Sequence, residues 1–309
     1  MELRQIRYFL ALFEEGNVTR AARKLNIVQP ALSMQIRRLE EEFGSAFFER
    51  TPQGVVPTSA GKRAYQLFLP VMKEIENARQ QILDLNGAVS GRIGVGLIPS
   101  VAASVLSAAV AEFSAAYPDV EIHIDEAYSG TLLEWVLAGQ IDCAVINQLS
   151  ARTPGIVSDD LVDEELVLVS SRGAGHALPP TVRFADLPGM SLVLPSKRHG
   201  LRMIIDRLAS EQGIEIQPRI EIDALIPTLE LVGCSGRATI LPAIALAAGS
   251  TALDLRISRI VGPRPSRKLV RIHHVQRPLT LAAERFLDVL RDHIGRAVGT
   301  VVRDGHNPD

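Results

Sequence analysis

Residues 18–39 read VTRAARKLNIVQPALSMQIRRL, and the organisation of the chain follows from them. Val18 to Leu25 are helix-forming residues, and Asn17, after Gly16, is a suitable N-cap. A break at Asn26-Ile27-Val28 precedes Gln29-Pro30. Proline suits the first turn of a second helix, because the N–H it lacks has no partner there. In that helix Leu32, Ile36, Leu39 and Phe43 recur at spacings of 4, 3 and 4, which predicts one buried stripe. The opposite face carries Gln29, Pro30, Ser33, Met34 and Arg37, flanked by Gln35 and Arg38. Two helices, a tight turn and a polar free face on the second describe a helix-turn-helix whose second helix enters the major groove. The same pattern also fits a helical hairpin whose polar face is merely solvated.

Residues 3–15 read as a preceding helix, with Ile6, Phe9, Leu10 and Phe13 at core spacing. Residues 46–50 and 54–57 read as two short strands turned by Thr51-Pro52-Gln53-Gly54, which makes a wing. Arg50 at its edge is placed for the minor groove or a phosphate, against a competing pairing with a nearby glutamate. Thr19, Arg20 and Thr51 complete the candidate DNA contacts. The run AARKLNIVQPALSMQIRRLEEEFGSAFFER, followed by TPQGVVPTSAGK, resembles the winged helix-turn-helix of the LysR-type transcriptional regulators, from about Leu3 to Asn86. SGRIGVGLIPS, QIDCAVIN and LPSKRHGLR are similar to the effector-binding half of that family, in particular to its branch around the nitrogen assimilation control protein. Val28 departs from the family, which often has Ser or Thr there, so a side-chain cap is missing from the second helix.

Composition bounds the reading. A chain of 309 residues suggests two or three domains, and 47% hydrophobic with 22% charged residues excludes a disordered chain. MELRQIRYFLALFEEG lacks the apolar core of a signal peptide, and no run of about 18 apolar residues predicts a membrane span. With only Cys143 and Cys234, the expectation is a cytoplasmic protein without a disulfide scaffold. The net charge of −2 divides into +3 for residues 1–63 and −5 for the rest. Charge therefore permits nucleic-acid binding, and the motif carries it.

Thr58-Ser59 opens a long helix to about Asn86-Gly87, in which Pro70 should produce a kink. Ala64, Phe68, Val71, Ile75, Ala78, Ile82 and Leu85 form a heptad seam, which argues for an identical partner helix and hence a dimer; packing on its own wing domain is the competing reading. From Arg92 apolar strands alternate with helices, the pattern of α/β lobes with central sheets. Strands are expected at 92–98, 120–126, 141–146, 164–171, 191–195, 219–223, 237–241 and 268–275, and helices at 100–117, 129–139, 199–213, 225–233 and 279–296. The resemblance implies a two-lobed fold like periplasmic binding proteins, with crossovers near 161–164 and 264–268. The division is then a head at 1–58 (helix-turn-helix 18–37), a linker at 59–88 and an effector-binding domain at 89–309. Within the last, lobe I takes 89–162 and 268–300 and lobe II takes 163–267. The tail from Arg303 is polar and expected to be mobile.

Catalytic and cofactor motifs fail on inspection. Gly94-x-Gly96 has Pro99 where a dinucleotide fingerprint needs glycine, and Gly233-Cys-Ser-Gly236 lacks the spacing of a hydrolase elbow. His273-His274 point to opposite faces of a strand and cannot chelate one metal. The acidic group Asp159, Asp160, Asp163, Glu164 and Glu165 reads as a solvated loop, and the cysteines as small apolar residues. More suggestive are polar residues just after strands: Ser100 with Val101 beside it, Ser129 and Thr131, Asn147, and Ser196. His199 and Arg202 follow closely, although Arg202 can instead pair with Asp206. Ligands of α/β sheets bind beyond the carboxyl ends of strands, where helix N-termini favour a small anion. Each serine alone is as readily a helix cap.

These observations predict a regulator that reads promoter DNA and senses a small, anionic effector, with no cofactor or metal. The resemblance implies a homodimer paired into a homotetramer, with RNA polymerase as a further partner. The alternatives are a constitutive DNA-binding repressor without a ligand, and an enzyme on the α/β half, for which no catalytic motif exists.

Overall fold

Glu2 and Gln5 form a reciprocal capping box that starts α1, Leu3–Glu15, and the apolar residues Ile6, Phe9 and Leu10 on its inner face are buried. The computed structural model describes residues 1–309 except 53, 86, 88, 150, 174–177, 247–253 and 305–309. The chain divides into two compact units, Met1–Asn86 (with which Ala138–Gln140 group) and Gly87–Asp309 without those three residues.

In the first unit, α2 spans Val18–Lys24, and the Asn17 side chain accepts hydrogen bonds from the N–H groups of Thr19 (3.0 Å) and Arg20 (3.1 Å). Asn26 takes φ 54°, the left-handed conformation that asparagine tolerates, and turns the chain into α3, Gln29–Phe43. No side chain caps α3 at Val28. Leu32, Ile36 and Leu39 are buried as the spacing predicts, but Phe43 is 48% exposed. It lies in the last turn, where its ring is tilted against Phe47 and edge-on to Phe68. The wing is β1, Phe48–Thr51, antiparallel to β2, Gly54–Pro57, and Gln53 of its turn lies outside the described residues. Glu40 of α3 anchors it, accepting from the N–H groups of Phe47 (2.7 Å) and Phe48 (3.1 Å).

Thr58 caps α4, Ser59–Asp84, which runs through Pro70 without interruption. A Cβ on Gly61 would collide with the Phe47 carbonyl oxygen, so glycine lets α4 start against the wing. The expected heptad seam divides. Ala64 is buried and Phe68 half-buried in the head's own core, edge-on to Phe9, so these two are core residues of the head. Beyond them Val71 (44%), Ile75 (37%), Ala78, Ile82 (66%) and Leu85 (85%) are exposed within one chain.

The second unit opens with β3, Gly91–Leu97, and α5, Pro99–Ala116, followed by β4, Val120–Glu126, α6, Ser129–Leu137, and β5, Cys143–Asn147. Next come β6, Ile156–Ser171, β7, Thr181–Arg183, β8, Val193–Leu194, α7, Gly200–Glu211, β9, Ile220–Glu221, α8, Leu225–Gly233, and β10, Ala238–Pro242. The chain ends with β11, Leu255–Val261, β12, Ser266–His274, and α9, Leu281–Asp304. The main sheet has the order β4-β3-β5-β12-β6-β11-β7, with β10 also on β6. Two separate apolar cores form, one around β3, β5, α5 and α9, the other around β10, α7 and the second half of β6.

Strand β6 joins them. It pairs with β12 through Glu165 and with β10 from Leu166, so the expected boundary after residue 162 falls inside one continuous strand. The acidic group is part of this strand and not a solvated loop. Asp159 meets Arg271 (3.0 Å) and Asp160 meets Lys268 (2.6 Å), and these cross-strand ion pairs hold what looked from sequence like loose charge. Strands β7 and β11 had no counterpart in the sequence reading, and α9 continues past the expected end at 296, through Arg303. Gly96 serves packing: a Cβ there would lie 2.6 Å from Leu132 Cδ2. Helix α5 alone among the described residues is long and apolar enough to cross a membrane, yet in this fold it packs on the first core through Val101, Val105, Ala109 and Phe113.

Candidate functional site

The head gathers one set of polar groups. Gln29, Pro30, Met34, Arg37 and Arg38 are exposed on α3, with Ser33 half-buried beside them. Ser33, Arg37 and Arg50 line one groove of about 180 Å³ between α3 and the wing. Glu40 lines it too, but its carboxylate is committed to the wing backbone, and among the described residues no ion pair holds Arg37, Arg38 or Arg50. Other candidates serve the fold. Gln35 accepts from Gln5 Nε2 (3.2 Å), tying α3 to α1. Arg20 donates to the Glu15 carbonyl and pairs with its carboxylate (3.6 Å). Thr51 donates to the Gly54 carbonyl (3.2 Å) and closes the wing turn, while Thr19 stands exposed.

The second unit encloses a cavity of about 50 Å³ between its two cores. Four helices begin at its wall: α5 at Pro99-Ser100, α6 at Ser129, α7 at Gly200 and α8 at Leu225. The first-turn N–H groups of a helix lack intrahelical partners and carry the positive end of the dipole. Of the eight residues expected here, Ser100, Ser129, Asn147 and His199 line the cavity. Val101 is buried in the first core instead, and Thr131 lies off the wall. Ser196 also lies off it, donating from N–H (2.8 Å) and Oγ (2.9 Å) to Asp223. Arg202 faces away: it is buried between Asp206 (2.7 Å), Glu221 (2.9 Å) and the Pro195 carbonyl (3.0 Å). Burial works against that guanidinium's charge, but the bonds to Asp206 and Glu221 hold its pKa above the usual value.

Sequence reasoning missed the central cation of the cavity. Arg267, at the start of β12, is 5% exposed; its Nε donates to Glu164 (2.8 Å), Nη1 to Asn147 Oδ1 (3.2 Å) and Nη2 to Ser100 Oγ (2.9 Å). The other Glu164 oxygen accepts from the Ile244 N–H (2.6 Å). Burial pulls the Arg267 pKa down from its ordinary value, against the raising effect of Glu164. The only sequence signal was an arginine heading an apolar strand. His199 accepts at Nδ1 from the Leu201 N–H (3.1 Å), and its ring stands edge-on to Tyr128 at 4.8 Å. Desolvation lowers its pKa, so the imidazole is neutral at pH 7 with its proton on Nε2. Tyr128, from the first lobe, donates to the Asp223 carbonyl of the second.

The described residues hold no cluster of three or more metal-ligating side chains. Cys143 is buried, which pushes its thiol pKa up, whereas Cys234 is exposed and does not pack as a small apolar residue.

A winged helix-turn-helix on a long helix, followed by a two-lobed α/β unit, defines a DNA-binding transcriptional regulator with an effector-binding domain. Residues 3–62 match the bacterial regulatory helix-turn-helix protein model of the lysR family, and residues 86–295 match the LysR substrate binding domain. The chain belongs to the LysR family. It is similar to the nitrogen assimilation regulatory protein nac of Escherichia coli, 30% identical over 270 residues that cover 87% of each chain. In fold it is similar to a full-length OxyR variant from Pseudomonas aeruginosa, with TM-score 0.73 and 20% identity over 95% of this chain and 94% of that one. Full-length CbnR in complex with its target DNA gives TM-score 0.66 and 22% identity, over 96% of this chain and all of that one.

Proposed function

We propose that this cytoplasmic regulator binds promoter DNA through α3 and the wing, and that a small effector in the interlobe cavity sets how the heads engage it. Gln29, Ser33 and Arg37 meet base edges or the adjacent backbone; Arg38 and Arg50 contact phosphates. The functional division is a head at 1–58, a linker at 59–88 and an effector-binding domain from 89 onward, a reading supported at its first boundary by the start of α4 at Ser59. Two chains pair along the exposed apolar face of α4, whose exposure in a single chain supports that role, and dimers pair into a tetramer that works with RNA polymerase. The effector presents an anionic or accepting group to the N-termini of α5 and α6.

The observation that carries the effector reading is the convergence of four helix N-termini, two from each lobe, on one cavity. Its test is thermal unfolding of the full chain against a panel of metabolite carboxylates. A ligand of the native state raises stability by about 2.7 kcal/mol at 100 times its Kd. Ser129→Ala should weaken that response while operator affinity without ligand stays unchanged. A binder that ignores Ser129→Ala and Ser100→Ala places the effector elsewhere.

A further inference from the structure

The charges at the cavity wall do not suit a simple anion. Arg267 is ion-paired with the buried carboxylate of Glu164, and each of its three nitrogens donates to Glu164, Asn147 or Ser100. His199 is neutral. Asp223 is different: it lies at the exposed mouth and stays ionised. Burial opposes its charge, but the N–H and hydroxyl of Ser196, with His199 and Arg198 nearby, hold its pKa below the usual carboxylate value. The wall therefore offers, first, positive helix ends from both lobes, those of α5 and α6 among them, and second, beside the starts of α7 and α8, the fixed carboxylate of Asp223, two residues before α8. A plain carboxylate gains the first and is repelled by the second. An ammonium on the same molecule turns the second into an attraction.

A further polar group points to a ligand. Thr239 is fully buried, lines the cavity from β10, and its hydroxyl has no hydrogen-bond partner among the described residues. A buried hydroxyl left unpaired is costly, so natural folds seldom keep one without use. The remaining wall includes Ile98, Leu201, Ile222 and Leu241, an apolar lining for a short side chain.

We propose that the occupant is a small zwitterion of the α-amino-acid class, its carboxylate at the N-termini of α5 and α6, its ammonium at Asp223, and Thr239 hydrogen-bonding it. This rests on the interlobe cavity being the effector site. The experiment is thermal unfolding of the full-length protein with each proteinogenic L-amino acid up to about 10 mM, and with the matching carboxylic acid that lacks the amino group. At least one amino acid should raise Tm in a saturable way, and its desamino counterpart should bind at least about tenfold more weakly. Asp223→Asn and Thr239→Val should each weaken the amino acid; Thr239→Val removes no hydrogen bond among the described residues, so its loss of response reports on the ligand. A desamino acid that binds as tightly, and is weakened by Ser129→Ala, overturns the zwitterion and leaves the cavity reading standing. An amino acid that binds both variants and Ser129→Ala as it binds the wild type overturns both. No Tm rise with any amino acid overturns the proposal.

Discussion

The head and the cavity use arginine in opposite ways. On the head Arg37, Arg38 and Arg50 stand exposed, and among the described residues none has an ion pair, whereas Arg20 and Lys24 nearby are held by Glu14 and Glu15. In the cavity Arg267 is buried, and each of its three nitrogens donates to a neighbouring side chain. An exposed, unpaired cation contributes little to folding and is available to a phosphate. A buried one paired with a carboxylate is part of the fold, and orients neighbours such as Ser100 and Asn147. The head thus presents open positive charge, while the cavity wall presents helix ends, hydroxyls and the carboxylate of Asp223.

The sharpest way to break this contrast is to remove one arginine from each region. Arg267→Met leaves Glu164 buried without its partner and should cost about 3–5 kcal/mol in chemical denaturation of the full chain. Arg37→Met should stay within about 0.5 kcal/mol of wild type and lose DNA affinity instead. Comparable destabilisation by both would erase the distinction. Next in size is Ile75→Asp. Ile75 is 37% exposed in one chain, so the monomer should fold normally. If the α4 face is covered by a second copy, a charge there costs several kcal/mol and sedimentation should show dissociation; an unchanged sedimentation coefficient removes α4 from the interface. A smaller effect is expected from Arg38→Ala, which should weaken all DNA sequences alike and reduce the salt slope by about 1. A sequence-dependent loss would make Arg38 a base reader.

The smallest expected effect concerns pH. Desolvation, with Arg267 nearby, lowers the His199 pKa below 6.5, against the raising effect of Asp223. A histidine with a depressed folded pKa contributes stability that is present above the unfolded value and lost as pH falls through the folded one. Wild type should therefore lose stability below about pH 6.5, and His199→Gln should lose less of it over the same range. Parallel curves would mean that the ring is solvated. His273, also lowered by burial, contributes to both and cancels in the comparison.

The same contrast explains what the sequence disclosed. Periodicity found α1, α3 and the free face of α3 because those residues lie on one element, at spacings written in the chain. It misjudged the upper seam of α4, where Ala64 and Phe68 repeat with the heptad but turn into the head's core. The cavity was only half legible. Ser100, Ser129, Asn147 and His199 follow strands or begin helices, and position alone marks them. Arg267, Glu164, Asp223 and Thr239 come together only because β6 runs through both lobes and β12 returns beside it. Glu164, hidden in an acidic run, looked like solvent-facing charge until its register opposite Arg267 was known. Arg202 shows the converse: near the right loop in sequence, it folds back onto Asp206 and Glu221.

The central claim is that α3 reads DNA sequence with its free face, and titration by fluorescence anisotropy tests it most directly. Wild type, Gln29→Ala and Ser33→Ala should be measured at one salt concentration on an operator selected from genomic fragments and on its scrambled counterpart. Each substitution should weaken operator binding by about 1–3 kcal/mol and leave the scrambled DNA nearly unchanged, because base-edge contacts discriminate and backbone contacts do not. Equal losses on both DNAs, or none on either, would contradict the account.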